Sequence, residues 1–355
     1  MKKIILLAII TSLFHSCKQQ VKEEAAPLID MKAFFKNGEK SSFRISPDGN
    51  YFSYRADHNG IANIFVQKVS DSTVVQVSHD TLRSLYSYFW KGDRIVYEQD
   101  MAGDENFQLF SVKADGSDLK ALTPFAGIRS DIVDDLRDIE GKENVLLVQI
   151  NKRVREYFDP YLLNIETGEL KLLYDNKENF DYWFTDNNGV IRLASKTDGV
   201  NNTWHYRSTE NEPFTPLLST TFKEHFYPAA FDKDNKNFYA TSNVGRDKIT
   251  AVEYDPTAKK EIIEWYGNEN YDIRSVKYDR KKQKITSVLW DAEKPKNHFF
   301  DKEWGDIQKS LEKKFDGYEV DIVSYTDDRS KAIVWIGSDK MPGKYYIYDF
   351  NTKET

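Results

Sequence analysis

The chain has 355 residues, with 50 Lys and Arg against 57 Asp and Glu and a formal charge of −7. That balance excludes the basic footprint of a nucleic-acid binder. A single cysteine excludes an internal disulfide and a cysteine-based metal cluster.

Residues 1–16 read as an export signal: Lys2 and Lys3 give a positive start, and residues 4–10 are an unbroken apolar run too short to span a membrane as a mature helix. Cys17 follows at once. Phe14-His15-Ser16-Cys17 resembles a bacterial lipoprotein signal, although Phe14 stands where the strict pattern has Leu. The resemblance implies cleavage before Cys17 and lipid on its sulfur, giving an exported lipoprotein of the periplasm or outer membrane. The alternative is an ordinary secretory signal with a chance cysteine. Residues 17–30 then form a lipid-anchored, polar tether, and residues 31–355 the folded body, which has no further membrane-length apolar run.

The body carries 21 Tyr, 22 Phe and 7 Trp, residues that suit strand faces, and few long helical patterns. Residues 85–123 set the plan. Four short strand signals lie within about forty residues: 85–90, 94–98 with Ile95 and Tyr97 alternating, 107–112, and 119–123 closed by Pro124. Ala114-Asp115-Gly116-Ser117 supplies a turn, because Asp-Gly tolerates positive φ. The unit recurs. Openings fall near Ser42, Tyr86, Asp131, Asp181, Phe226, Ile273 and Glu319, and most continue into a polar tip such as Ser46-Pro47-Asp48-Gly49 or Asp186-Asn187-Asn188-Gly189.

Seven meanders at a pitch of about 42–51 residues predict an all-β chain: a seven-bladed β-propeller of four-stranded antiparallel blades. A lone blade has two faces to cover and buries neither by itself; stacking around an axis covers both. A β-sandwich or several small β domains is the competing architecture. The last blade reads as incomplete, with residues 31–35 available as an outer strand. Residues 301–315 break the strand grammar. Trp304, Ile307, Leu311 and Phe315 sit at helical spacing, Asp301 is placed to cap, and Gly305 weakens the first turn. This short helical insertion is expected between the second and third strands of the sixth unit, packed on the propeller surface.

Chemistry is sparse. The carboxylates Asp131, Asp134, Asp135, Asp138 and Glu140 read as a solvated face rather than a metal site, and Gly103-Asp104-Glu105-Asn106 as a hairpin connection. Arg153, Arg155 and Glu156, ahead of Tyr157-Phe158-Asp159, read first as a rim ion pair and second as a patch for a peptide terminus or a facing domain. The tryptophans 183, 204, 265, 290 and 335 read as packing. Asn201-Asn202-Thr203 matches a glycosylation sequon, a poor reading beside a bacterial-looking signal. No cofactor and no metal site is assigned.

Several ordered words along the mature chain carry a resemblance. They are Ser46-Pro47-Asp48-Gly49 with Asn63-Ile64-Phe65-Val66; Gly103 through Phe110 with Leu122-Thr123-Pro124-Phe125; Phe158-Asp159-Pro160-Tyr161 with Asn164 and Thr167-Gly168-Glu169-Leu170; the helical stretch after His298-Phe299; and residues 338–346. This set resembles the N-terminal propeller of the prolyl oligopeptidase family of serine peptidases, in its dipeptidyl and acylaminoacyl branch. The resemblance implies a non-catalytic propeller that restricts entry of oligopeptides to an α/β-hydrolase domain bearing a Ser, Asp and His triad. These residues hold no G-x-S-x-G elbow, and His15, His58, His79, His205, His225 and His298 are scattered without a nucleophile. No catalytic residue is therefore assigned. The hydrolase arm is expected to be missing or separately encoded, and the chain alone inactive. The alternative function is a stand-alone lipid-anchored binding propeller.

Overall fold

The computed structural model describes residues 27–34 and 38–355. The lipidation expectation at Cys17 and the signal before it lie outside these residues. The chain divides into two units, Met1–Gly38 and Glu39–Thr355. In the first, Met31–Phe34 forms one helical turn. The expected outer strand over residues 31–35 is thus corrected: its described residues are helical, and four residues are too few to be held by propensity alone.

The second unit is the propeller. Seven antiparallel sheets follow one another, each made of strands consecutive in sequence. Their first strands are Lys40–Ile45, Tyr88–Lys91, Ser130–Asp134, Tyr182–Thr185, Phe226–Phe231, Ile273–Asp279 and Glu319–Tyr325. These first strands pack on one another from blade to blade and line the axis. Each runs to a tip and returns as the second strand, so all the tips lie at one end of the axis. The connections between blades, and between second and third strands, lie at the other. These ends are called the tip face and the loop face.

Alternation explains the blades. Along Arg94–Gln99 the run Arg94 to Tyr97 is wholly buried, because a middle strand is covered on both faces. Between blades the cover is aromatic and aliphatic: Ile64, Val66, Trp90, Ile95 and Tyr97 fill the space between the first and second. Leu193, Trp204, Phe226, Phe238 and Tyr254 fill that between the fourth and fifth. Trp183 and Trp204 are buried, as their packing role requires, whereas Trp265 is 37 % exposed on an outer strand. Trp335 lies flat over two glycines; a Cβ on Gly343 would sit 2.2 Å from its Nε1.

Among the described residues the ring closes without exchanging a strand. Arg44 Nη1 donates to the Val323 carbonyl at 2.8 Å, the Ile45 amide donates to Ser324 Oγ at 2.7 Å, and the Phe43 and Tyr345 rings meet at a tilt with centroids 4.5 Å apart. Gly49 adopts φ +73° in the first tip, and a Cβ there would press on Thr326 Cγ2 at 3.1 Å. Glycine thus serves both the turn and the seam.

Two expectations need correction. The sixth sheet, like the seventh, has three strands rather than four. The helix, Lys302–Lys314, follows the third strand of the sixth blade, Pro295–Phe299, rather than preceding it. That strand is exposed and starts at Pro, which an edge tolerates and a sequence pattern hides. Asp301 caps the helix as expected, accepting from the amides of Glu303 at 2.9 Å and Trp304 at 3.2 Å. Leu311 is buried against Val334, Ile336 and Tyr348. Gly305 is explained by approach: a Cβ would stand 3.2 Å from Phe299 Cβ.

Candidate functional site at the propeller axis

The ends of the first strands of blades three to seven surround an axial cavity of about 430 Å³ near the tip face. Tyr182, Phe184, Ala230, Val276 and Tyr278 give it an apolar wall. The strand ends add Asp134, Arg137, Asp279, Arg280 and Arg329. Each charge is placed by strand position: Asp134 and Asp279 end their strands, and the three arginines follow in the tips.

These groups pair across the axis. Arg280 of blade six holds Asp134 of blade three through both oxygens, at 2.8 and 3.2 Å. Its Nη1 also reaches the Arg137 carbonyl at 3.2 Å. Arg137 crosses to blade seven, donating to Asp327 at 2.8 Å and to the Tyr325 carbonyl at 3.0 Å. Arg329 joins blades seven and six through Asp279 at 3.0 Å, and its guanidinium lies 4.6 Å above the Tyr325 ring. Thr185 Oγ1 donates to Asp134, and Asn187 donates its side-chain amide to the Asp232 carbonyl at 2.6 Å. The Asp327 amide donates to the Pro47 carbonyl at 2.9 Å, so the tips of blades seven and one are joined too.

Burial alone would push the Asp134 carboxyl up. The Arg280 guanidinium and the Thr185 hydroxyl outweigh it and hold the group below its ordinary value. Burial likewise opposes the charge on Arg280, and Asp134 restores it. The solvated-face expectation is therefore corrected for Asp134, whose side chain is largely buried and paired. Sequence spacing hides this because the partners are 146 residues apart. The recurring position at the end of each first strand was the available signal. Among the described residues no group of three or more His, Cys, Asp or Glu is placed to hold a metal.

The other flagged residues lie elsewhere. Arg153 holds the buried Asp159 through two bonds, at 3.0 and 2.8 Å, and also pairs with Asp175 at 2.8 Å. This is the ion-pair reading, while Arg155 stays exposed beside it on the loop face. Asp104 accepts from the Met101 and Asn106 amides, each at 3.1 Å, which makes that stretch the hairpin connection expected. His205 and His225 are both pushed down chiefly by burial and stand apart on different blades.

The loop face has a different surface. Leu82, Tyr86, Met101, Val200, Phe222, Tyr227 and Tyr318 are exposed large apolar side chains. All seven lie in blade-to-blade connections, in second-to-third-strand connections or at the start of a first strand. On the tip face such residues are fewer among those described: Leu119, and Val74 at the start of an outer strand. Sequence reasoning missed this asymmetry, because it appears only when distant connections are gathered on one face.

No family model matches the chain. It is 25% identical over 342 residues to dipeptidyl aminopeptidase BIII of Pseudoxanthomonas mexicana, an alignment covering 91% of this chain and 47% of that protein. It is 26% identical over 347 residues to dipeptidyl peptidase family member 6 of Caenorhabditis elegans, covering 91% and 46%. Among solved structures, a prolyl endopeptidase superposes with a TM-score of 0.56 at 12% identity, covering 89% of this chain and 49% of the other. The chain spans about half the length of the curated relatives it matches.

Proposed function

We propose, from the premise that this seven-bladed propeller is homologous to that of the prolyl oligopeptidase family of serine peptidases, that it gates oligopeptides toward an α/β-hydrolase domain held against its loop face. The observation that carries this reading is the contrast between the two ends of the axis. The tip end is tied by ion pairs from blade to blade and across the cavity. The loop face presents exposed apolar side chains from several blades, a pattern that marks a surface meant to be covered. The chain also enters its first blade on the loop face, at Lys40.

In this reading the propeller does no bond chemistry. It excludes bulky substrates by its narrow axis and by the domain it covers. Acylation of a serine, with histidine as base and a carboxylate orienting it, belongs to the hydrolase domain. Attachment through lipid on Cys17, with residues 1–16 as signal and 17–30 as tether, completes the proposal and would hold the propeller at a membrane surface. Replacement of Cys17 by Ser should release the protein from the membrane fraction.

The test is a chimera in which residues 40–355 replace the propeller of the Pseudoxanthomonas mexicana relative. A folded chimera should cleave short chromogenic peptides and reject a folded protein that the isolated hydrolase half accepts. Equal acceptance of both substrates would overturn the gating role. The present chain alone should be inactive on the same peptides; turnover abolished by a serine-directed inhibitor would overturn the non-catalytic assignment.

A further inference from the structure

The helix Lys302–Lys314 leaves the sixth blade and crosses to the seventh. At its start Gly305 lies against the third strand of blade six, where an added Cβ would stand 3.2 Å from Phe299 Cβ. Towards its end Leu311 and Phe315 pack on Val334, Ile336 and Tyr346 of blade seven. Gln308 pins it there, donating to the Val320 carbonyl at 3.0 Å and to Glu312 at 2.9 Å. The wedge between the helix and the two blades is a groove of about 620 Å³, a size that suits a small ligand.

Its charges are sorted by wall. The lining side chains of blade six include cations and no acid, and Lys294 and Lys296 stand at either side of Pro295. The opposite wall carries Glu312 on the helix and Glu319 and Asp321 on the first strand of blade seven, with Lys309 its one cation. Glu319 and Asp321 are two apart on a strand and point the same way. Among the described residues neither lysine of the first wall nor any of the three acids has an ion-pair partner within 4.0 Å. Between the walls lie the apolar Leu289, Phe299 and Val320. Opposite charges that share a groove without meeting leave room for a ligand that bears both signs.

We propose that this groove is a binding site for a short peptide with both ends free. Its α-ammonium meets Glu319 and Asp321, its α-carboxylate meets Lys294 and Lys296, and an apolar side chain between them covers Leu289 and Val320. Charge-assisted contacts are the stronger kind of hydrogen bond, so the two ends of the peptide set the selection. The groove shares no lining residue with the axial cavity, and it serves whether or not the propeller gates a hydrolase domain.

The probe is the tripeptide alanyl-leucyl-alanine, titrated into the purified chain beside its N-acetylated and C-amidated forms. Binding is followed by backbone amide shifts. The free tripeptide should bind saturably, moving Leu289, Lys296 and Val320 and sparing Tyr182 and Tyr278 at the axis. Blocking either end should weaken binding about fivefold, the size of one solvent-exposed ion contact. In the double variant Lys294→Glu, Lys296→Glu, amidation should no longer weaken binding while acetylation still does. In Glu319→Lys, Asp321→Lys the pattern should reverse. Should a variant fail to fold, the blocked peptides and the shift map on the native chain decide by themselves. No saturation up to about 10 mM, equal binding of the doubly blocked peptide, shifts confined to the axis, or an unchanged preference in both folded variants would overturn the proposal.

Discussion

The two faces of the propeller are built from the same blades and differ in what their connections do. On the tip face, short hairpins end in polar residues that bond across blades: Asn187 to Asp232, Arg329 to Asp279, and the Asp327 amide to Pro47. Arg280 and Arg137 then cross the axis to and from blade three. On the loop face, the connections carry Met101, Val200 and Phe222 outward. Among the described residues the first and last blades share no strand, and such contacts hold them together. The tip face supplies a large share of them, and the loop face is left free to meet another surface.

The contrast is sharpest at Asp134. Replacement by Ala leaves the largely buried Arg280 without its partner and should cost roughly 3 kcal/mol, at the lower end of the range for breaking a buried pair because the site is not fully sealed from solvent. Chemical denaturation measures it, and an effect under about 0.5 kcal/mol would mean that the crossing contributes nothing to closure. The same pair gives a pH signature. The Asp134 carboxyl is held below its ordinary 3.8 by Arg280 and Thr185 against the effect of burial. Its stabilisation is present above that value and is lost as pH falls through the lower, folded value. The stability gap between the native chain and Asp134→Asn should therefore be full at neutral pH and close below about pH 4. A gap unchanged down to pH 2.5 would contradict the assignment.

Smaller effects follow where solvent screens the charges. Arg137 and Asp327 are more than a third exposed, so Arg137→Ala should cost about 0–1 kcal/mol despite its 2.8 Å contact. On the opposite face, Phe222→Ser and Met101→Ser should shift stability by no more than about 0.5 kcal/mol, since neither side chain is packed. Together they should still weaken engagement of the hydrolase domain in the chimera, read as a loss of size discrimination with folding unchanged. A large loss of stability would show that these side chains serve the blades rather than a partner.

Much of the fold was legible because propeller blades repeat their turn chemistry. Ser46-Pro47-Asp48-Gly49 and Asp186-Asn187-Asn188-Gly189 marked tips, and the aromatic alternation between them marked strands. The helix was legible from Trp304, Ile307 and Leu311, and its cap from Asp301. Its place was not, because Pro295–Phe299 is a polar edge strand without alternation. The axial site was hidden for a different reason. Asp134 looks like one of several surface acids, and only closure of the ring brings Arg280 to it. The exposed side chains of the loop face were hidden likewise, since a lone Phe222 or Met101 in a sequence carries no sign of its neighbours.

Native-state hydrogen exchange on the isolated chain tests the two-face account most directly. The Asp327 amide, bonded to Pro47 across the seam, should exchange only with global unfolding, whereas Asp104 and Asp198 in the loop-face connections should exchange through local opening. Asp134→Asn should speed Asp327 and leave the other two unchanged. Equal protection on both faces, or a loop face that outlasts the tip face, would contradict the account.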